Sequence, residues 1–215
     1  MIVSSIYDAG MAGVIALQGG GPFTANDDLD GRLLASCERV VMLPTADAFE
    51  QPRDLVDTAL VWGARIGVVV EPLMVITRPD AGDTAASVVD GAPAVALAGD
   101  SSIHLRSVLK GTPLFAAIER LVARGGTLIA TGASASALCD PMTDRRGGAF
   151  GLGLGLVPGM AVITETEVWP ADQLVRAHEL ATTPVVDLPT GSAIVRSDSG
   201  WEIVGDAVVH GDLPA

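Results

Sequence analysis

The chain has 215 residues, 49% of them hydrophobic and only 4% aromatic, with a formal net charge of −13. That length suits one domain with a sizeable core, and the acidic balance argues against nucleic-acid and anionic-membrane partners. Two cysteines, Cys37 and Cys139, are too few for a disulfide framework, and the N-terminus has no basic-then-apolar signal pattern. The expectation is a cytoplasmic protein with reduced thiols.

In chain order, apolar runs alternate with amphipathic stretches. Val14 to Leu17 reads as a strand running into Gly19-Gly20-Gly21, and Asp27 to Cys37 as a helix. Val40 to Leu43 is the next strand, ending at Pro44-Thr45-Ala46. Asp54 to Gly63 is helical, and Ile66 to Val70 is a strand. Ala94 to Leu97 is a strand that ends at Ala98-Gly99-Asp100-Ser101. Ser107 to Lys110 and Pro113 to Arg124 are helical, and Leu128 to Ala130 is a short buried strand. Strands separated by helices imply parallel βαβ units with right-handed crossovers. The predicted fold class is therefore α/β, a mainly parallel doubly wound sheet with helices on both faces.

The last third reads differently. Ala161 to Thr164 is strand-like and Ala171 to Ala181 helical. Ala193 to Arg196, Trp201 to Val204 and Ala207 to Val209 are short strands joined by turn signals. These predict antiparallel strands added at one edge of the sheet. The apolar stretch Gly151 to Ile163 is too short, and too rich in Gly and Pro, to span a membrane.

The most informative segment is Gly132-Ala133-Ser134-Ala135-Ser136, directly after a strand. It approximates the Gly-x-Ser-x-Gly turn that lifts a nucleophilic hydroxyl above a sheet, with serine in place of the second glycine. On this reading Ser134 is the nucleophile, with a strained backbone, and the Ala135 amide faces a developing oxyanion. Small-residue turns also follow the strands at Gly19–Gly21 and Ala98–Ser101. In a doubly wound sheet, ligands bind beyond such strand ends, so Gly20, Gly21, Gly99 and Asp100 are candidate site residues.

The ordered set of turns resembles one family. It comprises Gly19-Gly20-Gly21, Pro44-Thr45-Ala46, Gly99-Asp100 with Leu105 and Leu109, Gly111-Thr112-Pro113-Leu114, and Gly125-Gly126. The Gly-x-Ser-Ala turn, Gly151-Leu152-Gly153 through Pro158-Gly159, and a hairpin tail complete it. This looks like the serine peptidase family of cyanophycinase and dipeptidase E, across nearly the whole chain. The resemblance implies a class I glutamine amidotransferase-like fold, a serine nucleophile, a histidine base and an acid. It places Ser134 as nucleophile and the amides of Gly99 and Ala135 as oxyanion donors. At the family's base position stands Glu167, and at its acid position Thr190, so both partners are substituted.

A serine hydroxyl needs a base with a pKa near the working pH, and an ordinary carboxylate is a poor one. His104, just after the Gly99-Asp100 turn, and His178, on the Ala171–Ala181 helix, are the remaining base candidates. His210 lies in the tail, and Cys139 reads as a small buried hydrophobe. No metal-ligand spacing such as Cys-x-x-Cys or His-Glu-x-x-His occurs, so neither metal nor cofactor is expected. The expected ligand is a small peptide or amino-acid derivative, bound with weak hydrolysis or none, and a homodimer is one assembly left open. An active hydrolase with a remodelled base and a regulatory subunit without a small-molecule site are the alternatives.

Overall fold

The structure is a computed structural model that describes residues 13–145 and 147–214. In chain order its first half comprises β1 (Val14–Gln18), α1 (Asp27–Leu33), β2 (Arg39–Leu43), α2 (Pro52–Ile66), β3 (Val69–Pro72), α3 (Asp83–Asp90), β4 (Ala94–Leu97), α4 (Ser102–Leu109), α5 (Pro113–Ala123) and β5 (Thr127–Thr131). Then follow α6 (Ala133–Leu138), β6 (Cys139–Asp140), β7 (Met142–Asp144), β8 (Ala149–Gly151), β9 (Val157–Pro158) and β10 (Ala161–Thr164). The chain closes with α7 (Ala171–Leu180), β11 (Val185–Leu188), β12 (Ala193–Ser197), β13 (Gly200–Val204) and β14 (Val208–His210).

Seven strands form the main sheet in the order β13-β12-β1-β5-β4-β2-β3. From β1 to β3 every pairing is parallel, and β12 and β13 extend the β1 edge antiparallel. The central strands are mostly apolar because both faces are covered, with polar Gln18, Thr127 and Thr131 at strand ends. One face packs Leu29, Ala59 and Trp62 of α1 and α2. The other packs Val89, Leu105, Ile118 and Leu138 of α3 to α6.

Local chemistry starts these helices where they start. The Thr112 hydroxyl accepts from the Phe115 amide, with Pro113 opening α5. Ser101 caps α4 in the same way, accepting from the His104 amide. Both satisfy donors that a helix leaves unpaired in its first turn.

The α/β class and the antiparallel edge are as the sequence predicts, but the tail divides between two sheets. Only β12 and β13 join the main sheet. The strand expected at Ala207–Val209 is β14, and it pairs with β11 in a second sheet of order β10-β11-β14. One face of that sheet, with Val162, Val186 and Leu188, joins the core around α6. The other, with Ala161, Ile163 and Val185, is covered by Ala177 of α7. The apolar Gly151–Ile163 stretch is loop and short strand, and among the described residues no helix is long and apolar enough to cross a membrane.

Candidate active site

Strands β1, β5 and β4 are neighbours, and all three end in small-residue turns on the same side of the sheet. Beyond them, between α4, α6, the β7–β8 hairpin and the end of β10, lies a crevice of ≈ 330 Å³. Asp100, Ser101, Ser102 and Ile103 line it from the α4 side, and Ala133 and Ser136 from α6. Thr143, Asp144 and Arg145 line it from the hairpin, and Val162, Thr164, Glu165 and Trp169 from the small sheet. This is the strand-end position where α/β sheets bind ligands.

The strand-to-helix turn after β5 is tight, but its strained residue is Gly132, not Ser134. Gly132 has φ 63° and ψ −132°, a conformation costly for any L-residue with a Cβ. Among the described residues, and apart from its chain neighbours, a Cβ built there would have one atom within 4 Å, the Gly99 carbonyl oxygen at 3.9 Å. Space for a side chain therefore exists above the turn, and this chain leaves it empty. Gly99 is different. Its φ is +123°, and a Cβ would lie 2.4 Å from the Asp47 amide nitrogen, so only glycine fits.

Ser134 sits two residues into α6, is 0% exposed, and its Oγ has no hydrogen-bond partner. It does not line the crevice. The expectation of a strained, outward-facing Ser134 is corrected: the run of small residues hid a two-residue offset in the turn. The Ala135 amide is likewise not aimed at the crevice, because it donates to the Gly132 carbonyl inside the helix (3.0 Å). Ser136 does reach the wall, where its hydroxyl is fixed by the backbone of Thr143, accepting at 3.0 Å and donating at 3.1 Å.

The glutamate that lines the crevice is Glu165, not the Glu167 that the family resemblance picks out. Glu165 has left-handed backbone (φ 54°), which turns its side chain back over the strand ends. A Cβ on Gly20 would stand 2.5 Å from Glu165 Cγ and 2.7 Å from Thr190 Oγ1, so Gly20 is packed directly beneath both. Arg145 donates to Glu165 Oε2 at 2.9 Å across the mouth of the crevice. Burial raises the Glu165 pKa; Arg145 opposes this, while Asp100 and Glu167 add to it.

Glu167 and Thr190 are brought together, as partners of one another. The Thr190 hydroxyl and amide both donate to the Glu167 carboxylate, the amide at 3.2 Å from Oε2. Burial works to raise the Glu167 pKa, but the Thr190 hydrogen bonds prevail and hold it below the usual range. Glu167 is thus a fixed anion beside the crevice, not a proton acceptor within it. Gly21, with φ +64°, packs against Ala25 and Thr190 rather than lining the crevice.

None of the histidines lines the crevice. His104 points the other way from α4: its Nε2 donates to the Ile76 carbonyl at 2.8 Å, and its ring meets Phe49 edge-on at 4.6 Å. His178 and His210 both bond to Asp187, His178 Nε2 at 2.9 Å from Oδ1 and His210 Nε2 at 3.1 Å from Oδ2. Scattered in the sequence, these two converge in space. Cys139 is wholly buried, and burial pushes its thiol up to about 12, which makes it inert at neutral pH.

From the ends of β1 and β5 a buried polar chain runs to α1 and α2. Thr131 Oγ1 donates to Gln18 Oε1 (2.8 Å), and Gln18 Nε2 donates to Asp30 Oδ1 (2.5 Å). Trp62 Nε1 donates to Asp30 Oδ2 (3.1 Å). Burial raises Asp30 to about 6, against the pull of these two hydrogen bonds.

The fold is that of an α/β protein with a strand-end crevice, and the solved structures that share it include two described as peptidases. A peptidase from an acI-B1 Actinobacterium is similar at TM-score 0.82 and 22% identity, over 95% of this chain and 92% of that one. A putative Peptidase E protein from Listeria monocytogenes EGD-e is similar at TM-score 0.66 and 14% identity, over 92% and 98%. No protein-family profile and no curated protein matches the sequence.

Proposed function

We propose that this chain is a degenerate relative of the serine peptidases of the cyanophycinase and dipeptidase E type, which binds a small amine-bearing ligand and does not cleave it through a serine. The observation that carries the reading is Gly132. In hydrolases with a strand–turn–helix nucleophile, the strained residue of the turn bears the reactive side chain. Here that residue has φ 63° and no side chain, and the nearby Ser134 is 0% exposed. Without a nucleophile, and with no imidazole lining the crevice, acyl transfer by the usual route has neither of its two first participants.

The ligand class follows from charge. Asp100 and Glu165 bring carboxylates to the lining and Arg145 a guanidinium. Arg145 is already engaged by Glu165. Such a crevice attracts an ammonium or guanidinium and repels an acidic substrate. Trp169 and the hydroxyls of Ser101, Ser102 and Thr164 supply an aromatic wall and neutral hydrogen-bonding groups. A basic dipeptide or a cationic amino-acid derivative fits this chemistry, in a cytoplasmic setting where Cys37 and Cys139 remain free thiols.

The test is calorimetric titration with lysyl and arginyl dipeptides against aspartyl dipeptides, with product release followed in parallel. The basic peptides should bind at least tenfold more tightly, with no cleavage of either. Turnover of aspartyl peptides that disappears in Ser134→Ala would overturn the reading.

A further inference from the structure

Two of the chain's three histidines meet one carboxylate on the far side of the small sheet. We propose that His178, Asp187 and His210 form a zinc-binding site. Each residue comes from a different ordered element: His178 from α7, Asp187 from β11 and His210 from β14. Strand pairing sets the last two. Val185 lies opposite His210 in the antiparallel ladder, and Asp187 is two residues further along β11, so both side chains share the face that α7 covers. His178 follows the buried Ala177, which seats the helix on that face.

The donor atoms already stand at ligand spacing. Bonds of about 2.0–2.1 Å in a tetrahedral shell put ligand atoms roughly 3.3 Å apart. Here the two nitrogen-to-oxygen separations are 2.9 and 3.1 Å, and all donor atoms lie within 4.8 Å of one another. Lengthening the nitrogen–oxygen contacts by a few tenths of an ångström and drawing the wider pairs in toward about 3.3 Å admits the ion. Both imidazoles present Nε2 to the same carboxylate, and their ring centroids are 4.4 Å apart. As a metal-free hydrogen-bonded trio, each histidine must spend its Nε2 proton on Asp187. With zinc bound, those protons leave and the nitrogens become ligands.

Two imidazoles and a carboxylate form a borderline-soft donor set that suits zinc rather than magnesium or calcium, which favour all-oxygen shells. Three protein ligands leave a fourth position for water. The open side is toward solvent, where the His210 side chain is 44% exposed and Asp187 only 13%. None of the three residues lines the crevice, so the site is separate from the ligand-binding reading above. Its immediate consequence is mechanical: a bound ion ties the tail strand β14 to α7 and β11.

The experiment uses the full chain freed of any affinity tag and of metal. Zinc is titrated in competition with a chromophoric chelator, with metal content checked by mass spectrometry and magnesium as control. Binding of one zinc per chain is expected, with a rise in Tm and affinity falling as pH drops. Asp187→Asn and His210→Ala should each weaken binding at least tenfold and remove the Tm rise. His210 is exposed near the tail, so its variant keeps the fold testable even if Asp187→Asn does not. In nitrogen-detected NMR, Nε2 of both histidines should lose its proton when zinc is added. Zinc binding far below one per chain, or binding unchanged in His210→Ala, would overturn the proposal.

Discussion

The crevice above β5 and the histidine cluster on the small sheet divide between them what a hydrolytic site needs together. The crevice has the geometry: the strained turn at Gly132, the glycine-only turn at Gly99 and about 330 Å³ of space. It has no imidazole in its lining and no side chain at the turn. The cluster has two imidazoles oriented by Asp187, but it faces solvent on another side of the sheet. A fold thus supplies the position of a site independently of the groups that give it chemistry, and likeness of fold is no guide to activity.

Four changes break or sharpen that contrast. The largest effect is expected from the buried polar chain at Asp30. Asp30 is 2% exposed and its folded pKa is about 6, raised by burial from 3.8. Between those values the folded state holds a proton that the unfolded state has lost, so stability is highest below pH 4 on this account and falls as pH rises to about 6. At about 1.4 kcal/mol per pH unit the loss is on the order of 3 kcal/mol. Urea denaturation across that range should show it, and Asp30→Asn should flatten it. The Gln18 amide can turn over to accept from the introduced side-chain amide while still bonding Thr131.

Next is the turn itself. Gly132→Ala should destabilise by about 1–3 kcal/mol although space for the methyl exists, because the backbone conformation is the obstacle. A loss under about 0.5 kcal/mol in denaturant titration would mean that the turn is not strained. Third, Glu165→Gln removes one of the crevice carboxylates and frees Arg145. Affinity for a basic dipeptide should fall about tenfold, which corresponds to roughly 1.4 kcal/mol. No change would separate ligand binding from this crevice.

The smallest effect is the most telling about the sequence. Ser134→Ala should be neutral or stabilising by up to about 1 kcal/mol, since the change removes a buried hydroxyl with no partner. A destabilisation above about 1 kcal/mol would show that the hydroxyl has a partner in solution.

The main sheet was legible because β1, β2, β4 and β5 are short apolar runs closed by Gly, Pro or small polar residues. α3 was not, because its Ala, Ser and β-branched residues give a weak helical signal. β11 was missed because Pro184 and Pro189 bracket it and make it read as a loop. The turn was placed two residues late because Ala133 to Ala137 are all small, and composition alone does not set a register. The register is fixed by β5 against β1, with Thr131 opposite Gln18, which makes residue 132 the turn. The histidine cluster has spacings of nine and twenty-three residues along the chain, so only the pairing of β11 with β14 brings it into view.

The account's central claim is that the nucleophile position is vacant. Intact-mass and peptide mass spectrometry after prolonged exposure to a fluorophosphonate probe tests it most directly. The account predicts no adduct on the wild-type chain, and none gained or lost on Ser134→Ala. A stoichiometric adduct on Ser134 would contradict it, because the hydroxyl would then have to leave its buried place in α6 and reach the crevice.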